Sequence, residues 1–202
     1  MRFVPNLVTI TTILLAWFVD PIAALAAIQP GDKLPWVDLH WGFPPQRINL
    51  PMYCAGRKVI IVGLPGAFTP TCSSKQVPGY LEYQHALQAE GVDEILIYSV
   101  NDGAVMKAWF EDQKLEGSRM QMMGDPYGEF TKACGMELTH PGPVAKGLLG
   151  RCKRFAMLVV NCVVQHVAVA ESETDPAGDD APEATLAPAM LQVVQQYNKV
   201  QA

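Results

Sequence analysis

Stretches of apolar residues alternate along the chain with stretches in which apolar residues recur at helical spacing. Short continuous apolar runs predict buried strands, and the longer periodic segments predict helices with one buried face. The predicted strands are 58–64, 95–100, 121–123, 154–160 and 162–170. The predicted helices are 70–90, 105–114, 128–134 and 186–199. This order predicts an α/β fold with a central mixed sheet flanked by helices, whose last two strands form a hairpin around Asn161.

Three features interrupt this regular pattern. Pro78 lies inside the predicted helix 70–90 and is expected to kink it, because proline lacks a backbone donor. Residues 139–150 are rich in proline and glycine and predict a flexible loop. Residues 171–183 are acidic and predict a solvated surface loop; the functional alternative is a segment that repels anionic partners or docks a basic reductant.

The first 26 residues differ in kind from the rest of the chain. Arg2 is followed by a mostly apolar run at 3–19, and Ala24-Leu25-Ala26 is typical of a cleavage site. This predicts a signal or targeting segment at 1–26 and a single domain at 27–202, with no stable membrane insertion after cleavage; a retained anchor is the alternative. The expected destination is an organelle (a plastid or the endomembrane lumen) or the exterior. A mitochondrial destination is disfavoured because Arg2 is the only basic residue before Lys33.

Composition narrows the classes of function. The chain has 202 residues, 50% of them hydrophobic, and a formal net charge of −5. An acidic chain without a basic stripe has no general affinity for nucleic acid. The sequence shows no zinc-like spacing of cysteine and histidine and no phosphate-binding glycine motif, so a metal or nucleotide cofactor is not expected.

Cys72 occupies the position best suited to chemistry. The predicted strand 58–64 ends at Pro65-Gly66, and the next helix starts near Pro70, so Cys72 lies in the first helical turn. The positive end of the helix dipole favours a thiolate there. Thr69, three residues earlier, can offer its hydroxyl to the same sulfur, and Pro65 can shield it. A buried structural thiol is the alternative, but the position and its neighbours favour a nucleophile.

The spacing Pro65-x-x-x-Thr69-x-x-Cys72 resembles the active-site motif of the peroxiredoxins. The string Pro-Gly-Ala-Phe-Thr-Pro-Thr-Cys-Ser at 65–73 is similar to the type II, peroxiredoxin-5-like branch. Further segments that fit this branch are 91–95, 98–102, 106–109, 125–131 and 154–157. The resemblance extends from about residue 27 to the C-terminus.

This resemblance implies a thioredoxin-like fold and the reduction of hydrogen peroxide and small organic hydroperoxides without metal or haem. It implies that Cys72 is the peroxidatic cysteine, that Thr69 positions the peroxide and the thiolate, and that Pro65 limits solvent access. Arg154 would supply the second positive group of the pocket, and the protein would be a homodimer. Phe68, Pro78, Tyr80 and Phe155 would lie near the dimer interface, or in the core.

The predicted reaction is attack of the Cys72 thiolate on one peroxide oxygen, while negative charge develops on the other. Arg154 can stabilise that charge, because a guanidinium is always protonated and presents a planar fork of donors. The product is a sulfenic acid, which a second thiol can resolve. Neither position that usually carries the resolving cysteine in this branch does so here, since the chain has Ile97 and Ala184 there.

The other cysteines are poor substitutes for a resolving thiol. The strand between Cys54 and Cys72 should separate their sulfurs by roughly 20 Å, whereas a disulfide needs Cα atoms within about 7 Å. Cys134 and Cys162 are expected to be structural. Cys152 remains the alternative, because it is two residues before Arg154 and could pair with Cys72 after local unfolding.

The preferred hypothesis is a one-cysteine peroxidase for antioxidant defence and redox homeostasis. Glutathione, with or without a glutaredoxin, or thioredoxin would recycle Cys72. The alternatives are a peroxide sensor that relays oxidation to a partner protein, and a holdase-type chaperone on the same fold. A disulfide oxidoreductase is disfavoured, because positions 69 and 75 are Thr and Lys and no Cys-x-x-Cys pair includes Cys72.

Overall fold

A computed structural model describes residues 27–201 of the protein. The targeting segment predicted at 1–26, and with it the domain boundary, lies outside the described residues. The strands are β1 (Asp38–Trp41), β2 (Gln46–Asn49), β3 (Lys58–Gly63), β4 (Glu94–Ser99), β5 (Met120–Gly124), β6 (Arg154–Val160) and β7 (Val163–Ala170). The α-helices are α1 (Leu50–Cys54), α2 (Val77–Ala89), α3 (Gly103–Asp112), α4 (Glu129–Ala133), α5 (Pro141–Ala145) and α6 (Ala187–Gln201). No helix in this range is long and apolar enough to cross a membrane.

The seven strands form one mixed sheet in the order β2-β1-β5-β4-β3-β6-β7. The central strand β3 pairs in parallel with β4 and antiparallel with β6, and β6 continues into the hairpin partner β7. Helices α2, α3 and α6 cover one face of the sheet, and α1 and α4 cover the other. The predicted α/β architecture of a mixed sheet flanked by helices is therefore confirmed.

Alternation along β3 divides the core into two clusters. Ile60 and Val62 point to the face covered by α2, α3 and α6, whereas Val59 and Ile61 point to the opposite face. Side chains on both faces are buried, which explains why β3 reads as a continuous apolar run rather than as an alternating one. The strand thus separates two apolar environments: Cys72 lies in one, and Cys54, Cys134 and Cys152 lie in the other.

The predicted strands and helices are all present, with ends shifted by a few residues, but four elements were not predicted. Strands β1 and β2 and the short helix α1 precede the first predicted strand; their residues carry no continuous apolar run or clear period. The loop predicted at 139–150 is wrong for Pro141–Ala145, which forms helix α5. Proline suits the first turn of a helix, and His140 Nδ1 caps this one by accepting the Gly142 N–H at 3.1 Å.

Pro78 produces a change of helix type rather than a simple break. The helix starts at residue 70 and runs to Ala89, but a π-helical turn occupies Cys72–Gln76 and ends two residues before the proline. The Val77 N–H donates to the Cys72 carbonyl, five residues earlier. A π turn is a recognised way for a helix to accommodate a lost bond, and such turns often lie at functional sites.

Gly63 is required where β3 approaches β6. A Cβ atom at this position would lie 2.3 Å from Phe155 Cε1, and Phe155 is fully buried against Tyr98. We expect Gly63→Ala to lower the free energy of unfolding by about 1–3 kcal/mol, as other overpacking substitutions do. Equilibrium urea unfolding followed by tryptophan fluorescence measures this change.

Gly79→Ala provides the matched control. Gly79 lies inside α2, and a Cβ there would meet nothing within 4 Å. Because alanine favours a helix interior by about 1 kcal/mol over glycine, this variant should be as stable as the parent or more so. Equal effects of the two substitutions would show that the contact with Phe155 is not what requires glycine at position 63.

Candidate active site

Cys72 lies at the start of the helix that follows β3. The Thr69 carbonyl accepts the Ser73 N–H at 3.0 Å, which makes Thr69 the first residue of the helical hydrogen-bond pattern. Cys72 is fully buried, in the cluster under α2, α3 and α6. The structure therefore places this thiol in the first helical turn, as the sequence predicted, but inside the core rather than on its surface.

Arg154 is brought to Cys72 by the register of the sheet. It is the first residue of β6, and its neighbour Phe155 pairs with Gly63 at the end of β3, where the chain turns towards Cys72. The Arg154 Nη1 lies 3.4 Å from Cys72 Sγ and donates to it. The guanidinium is fully buried, so a solvated strand-end charge is excluded.

A buried guanidinium needs further acceptors, because an unpaired charge in a dry core is costly. The loop 171–183 supplies two of them. The Arg154 Nε donates to the Gly178 carbonyl at 2.8 Å, and Nη2 donates to the Asp179 carboxylate at 2.5 Å. The prediction that this acidic loop is only a solvated surface segment is wrong for these residues. Gly178 is buried. The Asp179 side chain is 52% exposed, but its carboxylate still contacts Arg154.

Asp175 fixes the conformation of this loop. Its carboxylate accepts the backbone N–H groups of Asp179, Asp180 and Ala181 at 2.9, 2.9 and 3.1 Å. Burial raises the pKa of Asp175, but these backbone donors, with Arg154, outweigh it and lower the pKa below its usual value. The loop anchor is therefore present above the ordinary pKa of aspartate and is lost only as the pH falls through the lowered value.

Thr69 and Pro65 adjoin Cys72, but the expected Thr69 contact is absent. The Thr69 hydroxyl donates to the Gly66 carbonyl at 2.9 Å, not to the Cys72 sulfur. It thereby closes the turn between β3 and the helix. Pro65 is buried in the same turn. The roles of these residues towards a peroxide stay predictions.

Two polar residues that the sequence did not single out stabilise this turn. The Asn101 Oδ1 accepts the Ala67 N–H at 3.2 Å and the Arg151 Nη1 at 2.7 Å, and the same nitrogen of Arg151 donates to the Val100 carbonyl at 2.8 Å. Asn101 belongs to one of the segments that carry the resemblance, whereas nothing in its sequence surroundings marks Arg151. These contacts join the turn at Ala67 to the residues that follow β4 and to Arg151, which precedes β6.

The segment before α6 is fixed to the helix that carries Cys72. Gln76 Nε2 donates to the Thr185 carbonyl and hydroxyl at 2.9 and 3.0 Å, and the Tyr80 hydroxyl donates to the same carbonyl at 2.7 Å. Ala184, the position that the resemblance assigns to the resolving cysteine in some members of the branch, is exposed next to Thr185.

Cys152, the alternative resolving thiol, packs on the other side of the sheet. It belongs to the cluster with α1 and α4, and its sulfur donates to the Leu64 carbonyl at 3.1 Å. Burial raises the pKa of Cys152 to about 12, and the neighbouring Cys72 adds to the rise. The two thiols therefore belong to different core clusters.

The described residues offer no group of three or more histidine, cysteine, aspartate or glutamate side chains suited to a metal ion. A cleft of about 570 Å³ lies elsewhere, lined by Trp41, Phe43 and Phe110, and does not include Cys72. The arrangement around Cys72 is suited to nucleophilic chemistry. The sulfur lies in a buried site beside a fixed cation, and that cation can stabilise negative charge on a leaving oxygen.

We expect that weakening the Asp179 contact slows the reaction of Cys72 with hydrogen peroxide. In Asp179→Asn, the ion pair is replaced by a weaker hydrogen bond, so Arg154 is less firmly aimed at Cys72. We expect the second-order rate constant for Cys72 oxidation to fall about tenfold, less than the 10²–10³-fold typical for removal of a stabilising donor. Single-turnover stopped-flow fluorescence with peroxide measures this rate.

Asp180→Asn is the control for that substitution. Asp180 is the next residue, is exposed and has the same side chain. Among the contacts of residues 27–201, it takes part in this loop through its backbone N–H and not through its carboxylate. Its rate constant should stay within about twofold of the parent. An Asp179→Asn variant that reacts as fast as the parent, or faster, would show that Arg154 is positioned without this carboxylate.

Comparison with known proteins supports the same chemistry. Residues 29–186 match the Redoxin family. Peroxiredoxin-2C of Oryza sativa subsp. japonica is 41% identical over 150 residues, which cover 73% of this chain and 90% of that protein. The chloroplastic Peroxiredoxin-2E-2 of the same plant is 38% identical over 152 residues, covering 73% and 67% of the two chains.

Solved structures agree in fold. Reduced Prx3 from Vibrio vulnificus, in complex with H2O2, superposes with a TM-score of 0.73 at 35% identity and covers 85% of this chain and 98% of its own. Peroxiredoxin 5 from Alvinella pompejana gives a TM-score of 0.67 at 30% identity, with 84% and 99% covered. The thioredoxin-like fold expected from the sequence is confirmed. Sequence, fold and the paired thiol and guanidinium thus agree that the chain belongs to the Redoxin family, as a type II, peroxiredoxin-5-like peroxiredoxin and hence a thiol peroxidase.

Proposed function

We propose that this peroxiredoxin works as a one-cysteine enzyme, in which Cys72 alone carries the peroxidase cycle and an external thiol returns it to the reduced state. The proposed donors are glutathione, with or without a glutaredoxin, or thioredoxin. Hydrogen peroxide and small organic hydroperoxides are the proposed substrates, and antioxidant defence and redox homeostasis the proposed roles. No metal or haem takes part in this proposal.

The observation that carries the proposal is that Cys72 and the other cysteines pack on opposite faces of the sheet. Within residues 27–201, no other cysteine belongs to the core cluster that contains Cys72. Cys54, Cys134 and Cys152 belong to the cluster across the sheet, and Cys162 packs against that same cluster. The position next to Thr185 that could deliver a resolving thiol is Ala184. An external thiol therefore supplies the second sulfur.

In the first step, the Cys72 thiolate attacks the terminal oxygen of the hydroperoxide, and the O–O bond breaks. The electron pair of that bond stays on the departing oxygen, which takes up a proton and leaves as water or an alcohol. Arg154 stabilises the charge on that oxygen as it develops, since its donors are already fixed by Gly178 and Asp179. Cys72 is left as a sulfenic acid.

In the second step, a glutathione thiolate attacks the Cys72 sulfur, and the sulfenic oxygen leaves as water. A second thiol then attacks the mixed disulfide, which releases Cys72 and produces a disulfide of the donor. Because Cys72 is fully buried, the first turn of its helix must open to admit the donor thiol. The π turn at Cys72–Gln76 is a suitable place for such opening, since π turns pack their backbone less regularly.

Three further points belong to the proposal. Small hydroperoxides are proposed as substrates because the Cys72 sulfur is buried and does not line the cleft formed by Trp41, Phe43 and Phe110. For a homodimer, Phe68, which is 52% exposed, and the exposed Pro78 are the proposed contact residues; Tyr80 and Phe155 are fully buried core residues. A plastid is the proposed compartment, because relatives such as Peroxiredoxin-2E-2 are named chloroplastic.

The test is steady-state consumption of hydrogen peroxide by the purified protein with glutathione, glutathione plus glutaredoxin, or thioredoxin. We expect Cys72→Ser to abolish turnover with every donor. Cys152→Ala should retain more than half of the parent rate, because its thiol forms no bond in the cycle. The donor that supports the fastest turnover identifies the reductant.

The control measures the sulfur directly. After one equivalent of peroxide, non-reducing mass spectrometry should find Cys72 as a trapped sulfenic acid. A disulfide between Cys72 and Cys152, together with lost turnover in Cys152→Ala, would contradict the one-cysteine cycle. A single oxidation with no turnover by any donor would favour a peroxide sensor.

A further inference from the structure

Two further cysteines, Cys54 and Cys162, lie at the end of β3 opposite to Cys72. Helix α1 ends at Cys54, just before β3, and the two-residue turn between β6 and β7 packs against that end. Asn161 Oδ1 accepts the Gly56 N–H at 2.8 Å, and the Asn161 N–H donates to the Arg57 carbonyl at 2.8 Å. These bonds fix the turn, and with it Cys162, beside the helix that carries Cys54.

Cys162 occupies a backbone conformation that glycine would adopt more easily. The turn consists of Asn161 and Cys162, with Val160 and Val163 paired on either side. Both turn residues have positive φ angles, 47° and 67°. Two-residue hairpin turns of this kind favour Asn-Gly, because the second residue lies in the left-handed region. A cysteine held there in spite of the strain points to a use for its thiol.

The Cys162 thiol contacts the backbone of the helix that ends at Cys54. Cys162 Sγ donates to the Pro51 carbonyl at 3.0 Å. Cys54 follows Pro51 by three residues in α1, and helical side chains lean back over the preceding turn. Burial raises the pKa of Cys54 to about 12, and the charge of Cys162 is the next contribution to that rise. The Cys162 sulfur therefore lies about one helical turn from Cys54, at the same end of the protein's first helix.

We propose that Cys54 and Cys162 form a reversible disulfide, a second redox site that ties α1 to the β6–β7 turn and is separate from the peroxidase centre. Cys54 precedes β3 and Cys72 follows it, so the length of the strand keeps the two sites roughly 20 Å apart. The proposal goes beyond the proposed peroxidase cycle and does not depend on it.

The oxidant is a small-molecule disulfide such as glutathione disulfide. Cys162, which is partly exposed, reacts first: its thiolate attacks one sulfur of the small disulfide, and the other leaves as a thiolate. Cys54 then gives up its proton and attacks the Cys162 sulfur, which forms the protein disulfide and releases the second small thiol. The two protein thiols lose two electrons, and the small disulfide is reduced to two thiols.

The test equilibrates the full-length protein with glutathione and glutathione disulfide at several ratios, traps free thiols by alkylation and maps peptides without reduction. We expect a Cys54–Cys162 cross-linked peptide that increases with the disulfide fraction and disappears with dithiothreitol. Cys54→Ala and Cys162→Gly should each abolish it, whereas Cys134→Ala should not. The Cys162→Gly variant should fold well, because glycine suits the positive φ.

A second measurement distinguishes a cross-link from simple thiol modification. Oxidation should raise the thermal midpoint of the parent by roughly 5–10 °C, as a disulfide closing a long loop does, and leave that of Cys162→Gly unchanged. Peroxide consumption by reduced Cys162→Gly should equal that of the parent. If Cys162 is recovered only as its glutathione adduct, or Cys54 is never oxidised in the folded protein, the proposal is overturned.

Discussion

The Arg154 guanidinium carries a full positive charge at a place that water does not reach, and a charge in such a place has to be matched by acceptors on every side. Its three nitrogens meet the Cys72 sulfur, the Gly178 carbonyl and the Asp179 carboxylate. If the loop 171–183 moved away, the Cys72 sulfur would be the one side-chain acceptor left to the cation among the contacts of residues 27–201. The positions of the loop, the end of β6 and the first turn of the catalytic helix are therefore mutually dependent, and the site exists only when all three are assembled.

The sheet makes this assembly possible. Antiparallel pairing of β3 with β6 places Phe155 opposite Gly63, so Arg154 falls next to the point where β3 ends and the chain turns towards Cys72. The absence of a side chain at Gly63 lets the Phe155 ring lie across β3. Asn101 and Arg151 then fix the turn itself. The distance of 3.4 Å between Nη1 and Sγ is thus a consequence of strand register and turn geometry, not of the two side chains alone.

Much of this could be predicted from the sequence, because burial on both faces of β3 and β6 produces continuous apolar runs and because the motif around Cys72 is local. Arg154 was predicted through its resemblance to a family, not through its surroundings. Asp179 was missed because the sequence of an acidic loop looks the same whether one of its aspartates points to solvent or to a buried cation. The β1–β2 hairpin was missed because its residues carry no apolar period. The sequence suggests that the Thr69 hydroxyl faces the sulfur, and only the fold shows that it donates a hydrogen bond to the Gly66 carbonyl.

The division of the core by β3 separates Cys72 from the other four cysteines, which fits the proposal that peroxide reacts at Cys72. Burial alone makes a thiol inert: it raises the pKa of Cys54 and of Cys152 to about 12, and it raises that of Cys134 as well. Cys72 is as deeply buried as these, yet it is the cysteine whose sulfur accepts a hydrogen bond from a guanidinium among the contacts of residues 27–201. Since a cation favours the thiolate and burial opposes it, the reactive cysteine is distinguished by its partner and not by its exposure. The acidic loop matters for the same reason. Asp179 fixes the direction of the Arg154 N–H donors, but its negative charge also weakens the attraction of Arg154 for a Cys72 thiolate.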